Sequence, residues 1–138
     1  MEKIYTAKAT ATGGRNGHVK SSDGALDADV RVPKEMGGAS GTYLNPEIMF
    51  AAGYAACFDS ALSLIIRNEK VQAGTTIVTA DVSIGKLDNG GFGLAVTLEV
   101  EVPGVEKVKA EELVNKAHQV CPYSNATRGN VEVELIVK

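Results

Sequence analysis

The stretch Asn45 to Arg67, NPEIMFAAGYAACFDSALSLIIR, limits what this chain can fold into more than any other. Asn45 suits a helix N-cap, Pro46 the first helical position, and Glu47 the positive helix start. Arg67 lies near the far end, where a cation is favoured. The residues between predict a helix that is apolar on nearly every side, so it has to be buried all round. Ile48 to Ile66 is barely long enough for a membrane span, which needs about 20 apolar residues. The stretch also holds Asp59, Ser60 and Ser63 and has no basic flank. A buried core helix is the better reading, and no membrane span is expected.

The strand signals surround this helix. Lys3 to Thr10 reads as a strand, Gly13-Gly14-Arg15-Asn16-Gly17 as a turn, and His18 to Ser21 as the returning strand of a hairpin. Leu26, Ala28, Val30 and Val32 alternate with charged neighbours. Pro33 to Thr42 reads as a loop into the central helix. Beyond it, Thr76 to Ile84 alternates, Asp88-Asn89-Gly90-Gly91 turns the chain, and Phe92 to Val102 alternates without a miss. Ala110 to Val120 predicts a second helix, with Leu113, Ala117 and Val120 on one face, closed or kinked at Cys121-Pro122. Val131 to Val137 is a last strand. The sum is one α+β domain over residues 1–138, with antiparallel sheets wrapped around two central helices. The central helix has more apolar surface than a small sheet can cover. Ala51, Ala52, Gly53, Ala55 and Ala56 let another backbone approach, which predicts a homodimer packed at or near these helices.

A net charge of -3 leaves no electrostatic footprint for nucleic acid. The start MEKIYTAKATAT lacks an apolar signal core, which predicts a cytoplasmic protein. In that setting two cysteines are reactive or idle rather than a structural staple. Cys57 sits mid-helix in apolar company, where desolvation raises a thiol pKa, so activation needs an imported cation. Cys121 falls at a helix C-terminus, where the dipole disfavours a thiolate; it is better placed to answer an attack than to lead one.

Four arginines are available. Arg31 alternates outward, and Arg67 and Arg128 sit near helix or turn ends. Arg15 is at the tip of a glycine-rich turn that can fold over a neighbour, or simply be solvated. Glu47 can hold such an arginine through a bidentate pair, or merely complement the helix start. Glu47 and Cys57 are ten residues apart, roughly 15 Å along a straight helix. Arg15 spans much of that gap, or the helix bends, or Glu47 acts near the Cys57 of a partner chain; the sequence leaves all three open. His118 and Cys121 have metal-ligand spacing but too few companions for a zinc site, and no metal or bound cofactor is expected. No Ser-His-Asp order, P-loop or dinucleotide motif is present.

NPEIMFAAGYAACF around Cys57 and HQVCPYSNATRGN around Cys121 resemble the two signatures of the organic hydroperoxide resistance proteins, a branch of the superfamily that includes the osmotically inducible thiol peroxidases. The resemblance covers nearly the whole chain. It implies a peroxidatic role for Cys57, a resolving role for Cys121, a catalytic role for Arg15 and an arginine-holding role for Glu47. It also implies an intertwined homodimer with active sites at its interface. The implied activity reduces organic hydroperoxides, fatty-acid hydroperoxides included, with electrons from lipoyl groups on carrier proteins, and passes through a Cys57 sulfenic acid and a Cys57–Cys121 disulfide. The competing expectations are a non-catalytic, ligand-binding dimeric module with idle cysteines, and a peroxide sensor with a binding partner.

Overall fold

The computed structural model describes residues 1–138. The chain divides into two compact units, Met1–Met49 and Phe50–Lys138. The first holds a three-stranded antiparallel sheet in the order β1-β2-β3, made of Ala9–Thr12, His18–Ser21 and Asp27–Asp29. The hairpin predicted around Arg15 is present, although β1 starts later than Lys3. Residues 1–7 offer no apolar alternation to hold a partner strand, and they are exposed and outside any strand. Val19 on β2 and Val30 after β3 are the buried side chains of this unit.

Helix α1, Pro46–Asn68, begins where the sequence places it. Asn45 Oδ1 accepts the Ile48 N–H at 2.8 Å, the N-cap bond that satisfies one of the orphan donors of the first turn. In the second unit α1 buries Tyr54, Phe58, Ala61 and Leu62, a stripe at helical spacing. Strands β4, Ile77–Lys86, and β5, Phe92–Glu101, form a ten-residue antiparallel hairpin. Helices α2, Lys107–Val120, and α3, Pro122–Thr127, then carry the chain to β6, Glu132–Val137. The core joins the α1 stripe to Val96, Leu98, Val100 and Val102 and to Ala110, Leu113, Val114 and Ala117 of α2.

Two expectations change. The sheet β4-β5-β6 is mixed, because β6 pairs parallel to β5. A parallel neighbour needs a long crossover, and α2 with α3 supplies it. Cys121-Pro122 closes α2 as expected, and Pro122 at once opens α3, where its missing N–H is no loss. Finally, α1 is not buried all round within one chain. It packs one face inward as a core helix, while Ile48 and Leu64 remain 46% and 40% exposed. One three-stranded sheet and α2 cover only that one face, as the surplus of apolar surface anticipated.

Candidate functional site

Arg15 is presented by geometry rather than by accident. Thr12 and His18 pair across the base of the hairpin, and the five residues between them turn through a short 3-10 segment, Gly14–Asn16. Gly13 adopts φ 76°, a left-handed conformation that side-chain-bearing residues rarely take. A Cβ on Gly17 would lie 1.7 Å from the Thr12 carbonyl oxygen, so only glycine lets the turn close. The foot of the turn is held from the side. The Gly17 carbonyl accepts the Val30 N–H at 2.9 Å and Arg31 Nη1 at 2.8 Å. Arg31 stacks its guanidinium 5.4 Å over the Tyr43 ring. His18 places Nδ1 2.9 Å from Asp29 and Nε2 2.6 Å from Asp27, and these two carboxylates, Asp29 foremost, raise its pKa.

At the tip, Arg15 donates Nη1 to Glu47 Oε2 at 2.9 Å and Nη2 to Glu47 Oε1 at 2.6 Å. This is the bidentate fork-to-carboxylate geometry that fixes direction as well as charge. Glu47 is 13% exposed and Arg15 34% exposed. The Arg15 hydrogen bonds hold the Glu47 carboxyl below its ordinary range against the opposing effect of burial. Of the two readings open for these residues, the pair is the one the fold adopts, and Glu47 also stands in the first turn of α1.

The two cysteines converge in the second unit. Cys57 is half-buried on α1, three residues after Tyr54 and beside Phe58. Cys121 is fully buried, where the inward stripe of α2 (Ala110, Leu113, Val114, Ala117) continues into the joint with α3. Their sulfurs are 3.7 Å apart and both are free thiols. That is close to the separation of about 3–3.5 Å at which two groups are poised to react. Desolvation pushes the Cys57 thiol up, the Tyr123 N–H pulls it down, and the neighbouring Cys121 pushes it up again. Beside the pair lies a surface groove of about 410 Å³ lined by Cys57, Ser60, Ala61, Leu64, Val120 and Pro122. Its walls are mostly apolar. Val120 is 46% exposed rather than on the buried face of α2, so it serves the groove and not the core.

The 138 residues match the model of the OsmC-like proteins over residues 37–136. An organic hydroperoxide resistance protein of Xanthomonas axonopodis is 53% identical over 133 residues, covering 96% of this chain and 93% of that protein. The chain belongs to this family. Among solved structures, an organic hydroperoxide resistance protein of Elizabethkingia anophelis, with crystallant-derived thiocyanate bound, superposes with a TM-score of 0.96 at 61% identity. That match covers 100% of this chain and 99% of the other. The corresponding protein of Bacillus subtilis gives a TM-score of 0.90 at 46% identity over 99% and 100% of the two chains. The two-sheet α+β arrangement is therefore the family's fold as well as this chain's.

Several supporting residues were invisible in the sequence. Arg31 read as an outward strand residue, yet it braces the Arg15 turn; only the tertiary return of Val30 beside Gly17 reveals this. His118 read as a helix-end residue with metal-like spacing. It does stand in the last turn of α2, and its Nδ1 lies 2.8 Å from Ser124 Oγ. Arg128 does meet a helix end as expected, donating Nη2 to the His118 carbonyl at 2.6 Å. Tyr54 and Phe58 are core, as aromatics on such a helix usually are.

Proposed function

We propose that this chain is a thiol-dependent peroxidase that reduces organic hydroperoxides, including those of fatty acids, to alcohols. The observation that carries this reading is the Cys57–Cys121 approach at 3.7 Å beside an apolar groove, in a chain of this family. Cys57 attacks the distal oxygen of the peroxide, the O–O bond breaks, and the alcohol leaves with a proton. Cys57 is left as a sulfenic acid. Cys121 then displaces the hydroxyl as water and closes a disulfide. An external dithiol, of the lipoyl type carried on a protein, reopens that bond by exchange. No bound cofactor or metal is required.

Cys57 needs a cation, because burial works against its thiolate. Arg15, aimed by Glu47, is assigned that role and the orientation of the peroxide. The exposed apolar side chains of α1, Ile48 and Leu64 on its two flanks among them, support a homodimer in which a second copy would cover part of this surface. The net charge of -3 supports action without nucleic acid. Sedimentation at micromolar concentration tests the dimer, and a monodisperse monomer would remove it.

The function is tested by counting free thiols and measuring intact mass before and after one equivalent of cumene hydroperoxide. Loss of both thiols with a two-unit mass decrease is expected. A folded protein that keeps both thiols would leave the idle-cysteine binding module as the better account. Equal efficiency on hydrogen peroxide and on an alkyl hydroperoxide would remove the selectivity assigned to the groove.

A further inference from the structure

A chain of buried hydroxyls joins the helices that carry the two cysteines. The Tyr54 hydroxyl lies 2.9 Å from Ser124 Oγ and 3.2 Å from Thr127 Oγ1. Ser124 Oγ continues to His118 Nδ1 at 2.8 Å, and Thr127 Oγ1 donates to the Tyr123 carbonyl at 3.0 Å. Tyr54 and Ser124 are fully buried and Thr127 is nearly so. Burial, with Arg128 adding to it, holds the His118 imidazole below its usual range. With Thr127 donating to the Tyr123 carbonyl, every other contact has a proton when Tyr54 donates to Thr127, Ser124 to Tyr54 and His118 Nδ1–H to Ser124. In that order each hydroxyl donates once, and no buried side-chain group is left without a partner.

The placement is what distinguishes this set from ordinary core polarity. Tyr54 stands three residues before Cys57 on α1. His118 stands three residues before Cys121 on α2, and Ser124 three residues after it on α3. Each cysteine is therefore one helical turn from a member of the network. Apolar residues of like volume would fill the same space without the desolvation cost of buried hydroxyls. A fully satisfied buried network instead fixes one arrangement among several that apolar packing tolerates.

We propose that the His118–Ser124–Tyr54–Thr127 network is the positioning device for the second chemical step. It holds the α2–α3 joint against α1 so that Cys121 Sγ meets Cys57 Sγ. The proposal rests on the peroxidase reading for its place in the cycle. In that step the Cys121 sulfur attacks the sulfenic sulfur of Cys57, the S–O bond breaks, and hydroxide leaves with the thiol proton as water. The first attack on peroxide uses Cys57 with Arg15, and Cys121 contributes no reacting atom to it. Misplacing a reacting atom by about 1 Å from outside the site can cost about a hundredfold, so loss of the network should fall on closure.

The test compares wild type with Tyr54→Phe, Ser124→Ala and His118→Gln, each checked for a cooperative thermal transition. Sulfenic acid formation with cumene hydroperoxide and its decay into disulfide are followed by quenched-flow intact mass with a dicarbonyl trap. A second arm starts from glutathione disulfide and follows closure of the Cys57–glutathione mixed disulfide by Cys121, which releases glutathione and needs no peroxide. Closure slowed about tenfold or more in both arms, with sulfenic acid formation within about twofold of wild type, is the expected result. Closure within twofold of wild type in folded variants overturns the proposal, and so does equal slowing of both steps. If Tyr54→Phe does not fold, His118→Gln, at the half-buried end of the network, decides by the same ratio. Failure of peroxide to oxidise wild-type Cys57 would sink the peroxidase reading, while the glutathione arm would still decide the positioning role.

Discussion

Glu47→Gln isolates the contribution of the Arg15 clamp, because it keeps the shape of the side chain and removes one charge. One amide oxygen can still accept from the guanidinium, but the second arm of the fork meets an NH2 group and is lost. A fully buried charge-assisted hydrogen bond is worth about 1.5–3 kcal/mol. Arg15 is 34% exposed, so water replaces much of what is lost. The expected loss of stability is about 1 kcal/mol, the upper end for an exposed pair. For 138 residues that lowers Tm by about 3–4 °C. If peroxide attack requires Arg15 to be held, a loss of about 1–2 kcal/mol in that arrangement slows the first step roughly 5- to 30-fold.

Arg15→Lys should fall in the same range, since an ammonium cannot make the fork. Arg15→Ala combined with Glu47→Gln should be no slower than Arg15→Ala alone, since the two changes remove one device. Stopped-flow oxidation of Cys57 by an alkyl hydroperoxide measures the four variants and wild type. A Glu47→Gln rate within twofold of wild type, alongside the expected fall in Tm, would show that the pair stabilises the turn without serving the thiol. The acid dependence follows from the sign of the shift. The folded-state Glu47 carboxyl titrates below its unfolded value, so the unfolded chain takes up the proton first as pH falls. The stability gap between wild type and Glu47→Gln should be constant above about pH 4.5. It should close as the pH falls through the folded pKa.

Four further outcomes are expected. Cys57→Ser abolishes peroxide turnover, whereas Cys121→Ser gives a single turnover and a trappable sulfenic acid but no sustained cycle, both read by intact mass and a coupled dithiol assay. Gly17→Ala drives a methyl into the Thr12 carbonyl, so it should slow Cys57 oxidation about as far as Arg15→Ala while leaving the glutathione-driven closure rate unchanged; a wild-type oxidation rate would show that the turn does not position Arg15. Phe58→Ala empties a fully buried position and should cost about 3–5 kcal/mol, measured by denaturant unfolding. The His18 pKa is raised in the folded chain, so its contribution to stability is full below about pH 6.5 and fades as pH rises through the folded value; His18→Gln should remove that alkaline slope in thermal melts.

The parts of this molecule that were legible in the sequence are those where one local rule dominates. Asn45, Pro46 and Glu47 mark the start of α1 because capping is decided within four residues. The hairpin β4–β5 follows from uninterrupted alternation around Asp88 to Gly91. The pairing of Arg15 with Glu47 was one of two open readings, since it joins residues 32 apart and no local rule reports it. What stayed hidden depends on return of the chain in space. The parallel placement of β6 is set by the crossover, not by its own valines. The inward turn of Val114 and the outward turn of Val120 depend on where α2 meets the sheet. Tyr54 showed as an apolar helix residue, and nothing near it in sequence discloses Ser124.

The thiols that lie 3.7 Å apart are 64 residues apart along the chain, and β4 and β5 lie between them. A bond there would tie a loop around the central hairpin of the larger sheet. In a chain-entropy account, a ring of that size takes about 4 kcal/mol of freedom from the unfolded state. Each turnover would then pass the protein through a form that is harder to unfold, and the incoming dithiol must work against that constraint. Under the proposed cycle, resistance to heat would record the last reaction: a population caught after peroxide and before reduction would melt later than one at rest.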